Sequence, residues 1–187
     1  MSQDVVLQLA RQLNVVVSKF LGTAVGLWGE PGIGKTHAAS EILSRLQCHH
    51  LTLHATTGAA QIVVALPQAK KLPAWVQTQL LRLERGEQLE NTTFAAMLAA
   101  ILSALAPFVL HLEDAHEANA ERLELIVTLA QSISRTRGVG LLVTSRAELS
   151  APFRNQKLEP LSFLESAALI EHELKSQAPD DGLEWIF

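Results

Sequence analysis

Gly29-Glu30-Pro31-Gly32-Ile33-Gly34-Lys35-Thr36 carries the clearest chemistry in the chain. Gly29, four residues, then Gly34, Lys35 and Thr36 fill every specified position of the phosphate-binding loop pattern. Glycines let the backbone turn through conformations closed to other residues, so that successive amide N–H groups converge on phosphate oxygens. A helix starting near Gly34 adds its positive end, and His37 falls in its first turn. Lys35 is placed to reach the outer phosphates as a point charge, and the Thr36 hydroxyl to ligate Mg²⁺.

A second chemical group follows an apolar run. Phe108-Val109-Leu110-His111-Leu112 leads into Glu113 and Asp114, two carboxylates at the end of an expected strand. In an open parallel sheet, ligands sit beyond the carboxyl ends of the strands. One carboxylate there can hold the metal, usually through water, while the next orients or deprotonates the attacking water. A third strand, Val139-Gly140-Leu141-Leu142-Val143, ends in Thr144, Ser145 and Arg146 on that same side. Arg146 either contacts a γ-phosphate and reports its loss, or caps the strand at the surface. His116 either senses the same site or faces solvent at the start of the next helix.

These groups need elements to hold them. Val6, Leu9, Leu13, Val16, Val17 and Phe20 recur at helical spacing, which predicts an amphipathic N-terminal helix ended by Gly22. Ala24 to Trp28 reads as a buried strand feeding the loop, and Gly34 to about Gln47 as a helix packing through Ala38, Ala39, Ile42, Leu43 and Leu46. His50 to His54 alternates like an edge strand. His49, His50 and His54 have no carboxylate or cysteine at ligand spacing, so a metal site is not expected there. Residues 57–90 read as one or two inserted helices, with Pro73 in a first turn and Val76, Leu80 and Leu83 inward. Asn91, Thr92 or Thr93 caps a helix running to about Leu105 and stopped by Pro107. That division makes Phe94–Leu112 a helix and a strand in place of a membrane span. A helix from about Asn119 presents Leu123, Ile126, Val127, Ala130 and Ile133, and a short edge strand lies near Gln156–Leu158. Ser162 and Glu165 form a capping box for a last helix bearing Phe163, Ala167, Ile170 and Leu174. Residues 1–175 form one domain, and 176–187 a linker or the start of a further domain.

Bulk properties narrow the function. The 187 residues, 48% hydrophobic and 18% charged, suit one α/β domain with a proper core. A formal net charge of −4 gives no electrostatic reason to expect nucleic-acid binding by this segment. Cys48 stands alone, which excludes an internal disulfide and suits a reducing cytoplasm, with the thiol as a packing group.

Four segments together resemble the signal-transduction ATPases with numerous domains, a branch of the P-loop ATPases found in large bacterial transcriptional regulators. They are residues 29–36, Leu-Glu-Asp-Ala-His at 112–116, Leu-Leu-Val-Thr-Ser-Arg at 141–146 and Leu-Glu-Pro-Leu-Ser at 158–162. The resemblance implies a three-layer α-β-α domain around a five-stranded parallel sheet in the order 5-1-4-3-2. It also implies ATP and ADP as ligands with Mg²⁺, slow hydrolysis, and use of bound nucleotide as a switch with other domains of the polypeptide and in self-association. Glu113 takes the metal-associated place with Thr36, Asp114 the water-orienting place and Arg146 that of sensor. Lys35 is the catalytic cation within a binding loop of Gly29, Glu30, Pro31, Gly32, Ile33, Gly34, Thr36 and His37. Relatives carry a Gly-Arg-Xaa-Glu motif before the loop that is missing here, so the adenine contacts stay unassigned. Residues 116–119 read His-Glu-Ala-Asn where relatives often have His-Trp-Ala-Asp.

ATP is expected over GTP because no Asn-Lys-Xaa-Asp segment occurs. Two other functions fit the loop. A small-molecule or nucleotide kinase needs an arginine-rich lid, for which 57–90 supplies Arg82 and Arg85. A nucleotide-binding module without turnover would be indifferent to loss of Asp114.

Overall fold

The computed structural model describes residues 3–19, 22–69 and 71–160. In chain order the elements are α1 (Gln3–Lys19), β1 (Thr23–Trp28), α2 (Lys35–Ser44), β2 (His49–His54), α3 (Ala59–Ala65), α4 (Ala74–Glu84), α5 (Asn91–Ala104), β3 (Phe108–Glu113), a 3₁₀ turn (Ala115–Glu117), α6 (Ala120–Ser134), β4 (Val139–Ser145) and β5 (Arg154–Lys157). The strands form one five-stranded sheet in the order β2-β3-β4-β1-β5. Every pair is parallel, with Val25 beside Leu142, Leu110 beside Leu141 and Gly26 beside Asn155. This is the expected α/β fold with the expected strand order.

Alternation along buried strands assigns the two faces. Val25, Leu27, Val109 and Leu142 pack with Val6, Leu9 and Leu13 of α1 and with Ala38, Ala39 and Ile42 of α2. Ala24, Leu110, Leu112, Leu141 and Val143 point the other way, into a larger core with α5 and α6 that the inserted α3 and α4 extend. Successive strand residues face opposite sides, so continuous apolar runs are what a sheet covered on both faces requires. The result is the three-layer arrangement. Among the described residues no helix is long and apolar enough to cross a membrane, and 94–112 divides into α5 and β3 as expected.

Several boundaries differ from the sequence reading. α2 ends at Ser44 and not near Gln47, although Leu46 is still buried. α5 is capped at Glu90, one residue before the expected group, with no side-chain cap bond. On α6 the buried stripe includes Leu125 and Leu129, while Leu123 and Val127 are only partly covered. Thr144 and Ser145 are inside β4, and β5 starts earlier than Gln156. The expectations for Val16, Val17 and Phe20 as packing residues, and those for residues 161–187, lie outside the described side chains or residues.

Candidate nucleotide site

β1 delivers the chain into the loop at Gly29, whose N–H donates to Ser145 O at 3.3 Å. The loop and the end of β4 are thereby tied at the first residue of the motif. Gly32 and Gly34 have φ of 77° and 91°, the left-handed region that glycine enters without a Cβ penalty. No non-neighbouring protein atom lies within 4 Å of where a Cβ on either would stand, so the space beside both glycines is open. α2 begins at Lys35 with Gly34 as its cap and no side-chain cap bond. Its first-turn amides, like those of any helix, have no intrahelical acceptor. An amide set of this kind at a helix start, beside open space, suits a phosphate group.

Lys35 is 8% exposed, and its Nζ donates to Gly29 O at 3.0 Å and Glu30 O at 2.8 Å. The ammonium is therefore held across the mouth of the loop by the loop's own carbonyls. Burial pushes the Lys35 pKa below its usual value; the Asp114 carboxylate opposes that and the Arg146 guanidinium adds to it. Two charges from different strand ends thus act on this one amine. Glu30, Pro31, Thr36, His37 and Arg146 are exposed around it, Gly29 is buried, and Ile33 and Glu113 are half-buried.

Asp114 takes φ 55° and ψ 49°, the one positive φ outside glycine among the described residues. Aspartate tolerates this region better than most side chains, at some cost. Its N–H donates to Thr144 Oγ1 at 3.1 Å, and Thr144 is 1% exposed. The turn continues with Glu117 N–H donating to Asp114 O at 2.9 Å. His116 lies inward, its side chain 16% exposed and Nδ1 3.8 Å from Asp114 Oδ1. Its ring nitrogens are buried with no hydrogen-bond partner. Of the two readings of His116, proximity to the carboxylate is the one the geometry favours.

Sequence spacing missed three neighbours of this cluster. β2 pairs with β3 so that His54 stands beside Glu113, and His54 Nε2 comes 3.3 Å from Glu117 Oε2. His54, Asp114 and Glu117 each offer a ligand atom within 4.8 Å of the others. The absence of a nearby carboxylate in sequence therefore did not hold in space; only strand register brings these groups together. Thr144 was read as a strand-end polar residue, and nothing in the spacing pointed to its bond with Asp114. His111, inside an apolar run, is 1% exposed with Nδ1 3.2 Å from Thr52 Oγ1. Burial, reinforced by His50 and opposed by Asp114, pushes its pKa down to about 4.

The loop's amides, the Lys35 amine, the Thr36 hydroxyl and the Glu113 carboxylate make a donor set that fits a nucleotide phosphate with Mg²⁺, an oxygen-seeking cation. A profile of the AAA ATPase domain family matches residues 3–143. No curated protein matches the chain. Among solved structures, Aeropyrum pernix ORC1 in complex with DNA is similar with a TM-score of 0.60 at 16% identity, over 91% of this chain and 48% of that one. Drosophila ORC bound to DNA gives 0.57 at 15% identity, over 93% and 46%. A Thermotoga maritima RuvB variant gives 0.53 at 20% identity, over 94% and 51%. The chain spans about half the length of these structures, and at such identities the likeness is one of fold. With the family profile matching most of its length and the sheet in the corresponding order, the chain belongs to the AAA ATPase domain family.

Proposed function

We propose that this domain binds ATP with Mg²⁺, hydrolyses it slowly, and serves as the nucleotide switch of a larger regulatory protein of the signal-transduction ATPase branch. The observation that carries the reading is the loop's geometry, with Gly32 and Gly34 at positive φ ahead of α2 and Lys35 Nζ held on Gly29 O and Glu30 O, beside the ends of the paired strands β3 and β4. In this reading Lys35 binds phosphate, Asp114 orients the attacking water and Arg146 reads the terminal phosphate, all from the same end of the sheet. Mg²⁺, when bound, supplies charge neutralisation on the phosphates. Thr36 and Glu113 would hold it, Lys35 would exchange its loop carbonyls for phosphate oxygens, and Asp114 would accept the proton of the attacking water. Arg146, exposed at the end of β4, distinguishes the triphosphate from the diphosphate and passes that difference to other domains or to a second copy. The net charge of −4 favours protein partners over nucleic acid for this segment.

Binding of labelled ATP and GTP, with phosphate release, tests this. Lys35→Ala is expected to weaken ATP binding about 10- to 100-fold, the loss of a charge-assisted bond. Asp114→Ala is expected to lower turnover by roughly 10²-fold or more while ATP affinity changes little. Equal ATP affinity for wild type and Lys35→Ala would sink the proposal. Transfer of phosphate to an added acceptor in place of water would turn it towards a kinase.

A further inference from the structure

Residues 57–90, left without a role by the motifs, build one wall of a cavity of about 550 Å³. It opens between the segment after β2, the loop before α5 and the start of α6, and no residue of the phosphate loop lines it. Its volume is in the range of small-molecule sites. The floor is apolar, with Phe94, Ala118 and Leu125 buried and Leu89 partly so.

The rim is acidic. Glu87, Glu117 and Glu121 line it against a single cation, Arg122. That guanidinium is already committed to the backbone, Nε donating to Ala55 O at 2.8 Å and an Nη to Thr57 O. It braces the wall, with three carboxylates set against its one positive charge. Glu87 is paired with Arg82 at 2.7 Å and Glu117 with His54 at 3.3 Å. Glu121 has no ion pair among the described residues and is exposed.

We infer that this cavity is a second binding site, for a small organic cation with an apolar body, such as an aryl-alkyl amine. The ring settles on Phe94 and Leu125, and the ammonium is held at Glu121 with Glu117 close by. Three carboxylates against one guanidinium, over an apolar floor, favour this class over anions and over inorganic cations, which gain nothing from the floor.

The probe is tryptamine, with indole-3-propionate as its anionic counterpart, titrated calorimetrically into the full chain without nucleotide and again with ATP and Mg²⁺. Tryptamine is expected to bind with a Kd on the order of 1 mM or tighter, indole-3-propionate at least about tenfold more weakly. Glu121→Gln, at an exposed position, is expected to weaken tryptamine about fivefold or more, and Gln88→Trp, which fills the mouth from an exposed position, to abolish its binding. Binding should persist in the presence of ATP, because the sites share no residue of the loop. No tryptamine binding, equal binding of the two indoles, indifference to both variants, or displacement by ATP would each overturn the assignment. None of these readouts depends on turnover, so they stand apart from the fate of the switch proposal.

Discussion

Thr144 and Asp114 show how one hydroxyl can fix the backbone beneath a carboxylate without touching the carboxylate. The Asp114 backbone sits in a left-handed conformation, and the buried Thr144 Oγ1 accepts its N–H. Thr144→Val keeps the shape and removes the acceptor, leaving that donor unpaired at a cost of about 1–3 kcal/mol. We expect phosphate release to fall about tenfold or more with ATP affinity unchanged within about twofold, and Thr144→Ser to restore it. A loss of binding in step with turnover would show instead that Thr144 serves only the stability of the strand. At this scale the sequence was informative where chemistry follows spacing along the chain. Gly29 to Thr36 could be read because the motif is contiguous; Thr144 on Asp114, and His54 on Glu117, are contacts across strands, and no interval along the chain encodes them.

The elements were more legible than the contacts between them. Continuous apolar runs announced β3 and β4, and the apolar stripes announced α1, α2 and α6, because burial on one or two faces leaves a periodic trace. The early end of α2 was hidden, since Arg45, Leu46 and Gln47 are good helix formers and the chain turns there only to enter β2. The helices of 57–90 could be anticipated but not their wall of a cavity. α1 offers the sharpest test of an element's contribution. Leu13 is fully buried, and its Cδ2 would stand 3.3 Å from a Cβ built on Gly140 of β4, so helix and strand approach closely there. Leu13→Ala is expected to destabilise the fold by about 2–4 kcal/mol through lost burial and a residual cavity. A lower urea midpoint at unchanged slope would register this; a midpoint unaltered within error would mean that α1 is not integral to the core.

For the molecule as a whole, stability should carry the signature of one buried imidazole. His111 titrates near 4 when folded against an ordinary 6.5. Between those values the unfolded chain binds the proton and the folded one does not, so stability is fully present above about pH 6.5 and is lost as pH falls towards 4. The size of that loss is about 3 kcal/mol. His111→Leu should flatten the decline in melting temperature over this window, and an unchanged pH profile would refute the assignment. Strand order was the whole-molecule property most accessible from sequence, through the resemblance of four motifs; the acidic cavity was the least, since its rim is drawn from three separate connections.

The position of β1 in the sheet has one further consequence, in time and not in space. Thr23 pairs with Gly140 and Val25 with Arg154, so the strand that carries the phosphate loop has neighbours only from the far end of the described chain. β2 and β3, made earlier than β4, pair with each other and can meet first. Within the described residues, the loop motif therefore precedes the strands that flank it in the sheet and is among the last pieces to be held in place. Nucleotide can find a formed cradle only once β4 has closed the gap between β3 and β1, which makes ligand binding a report that the sheet is complete.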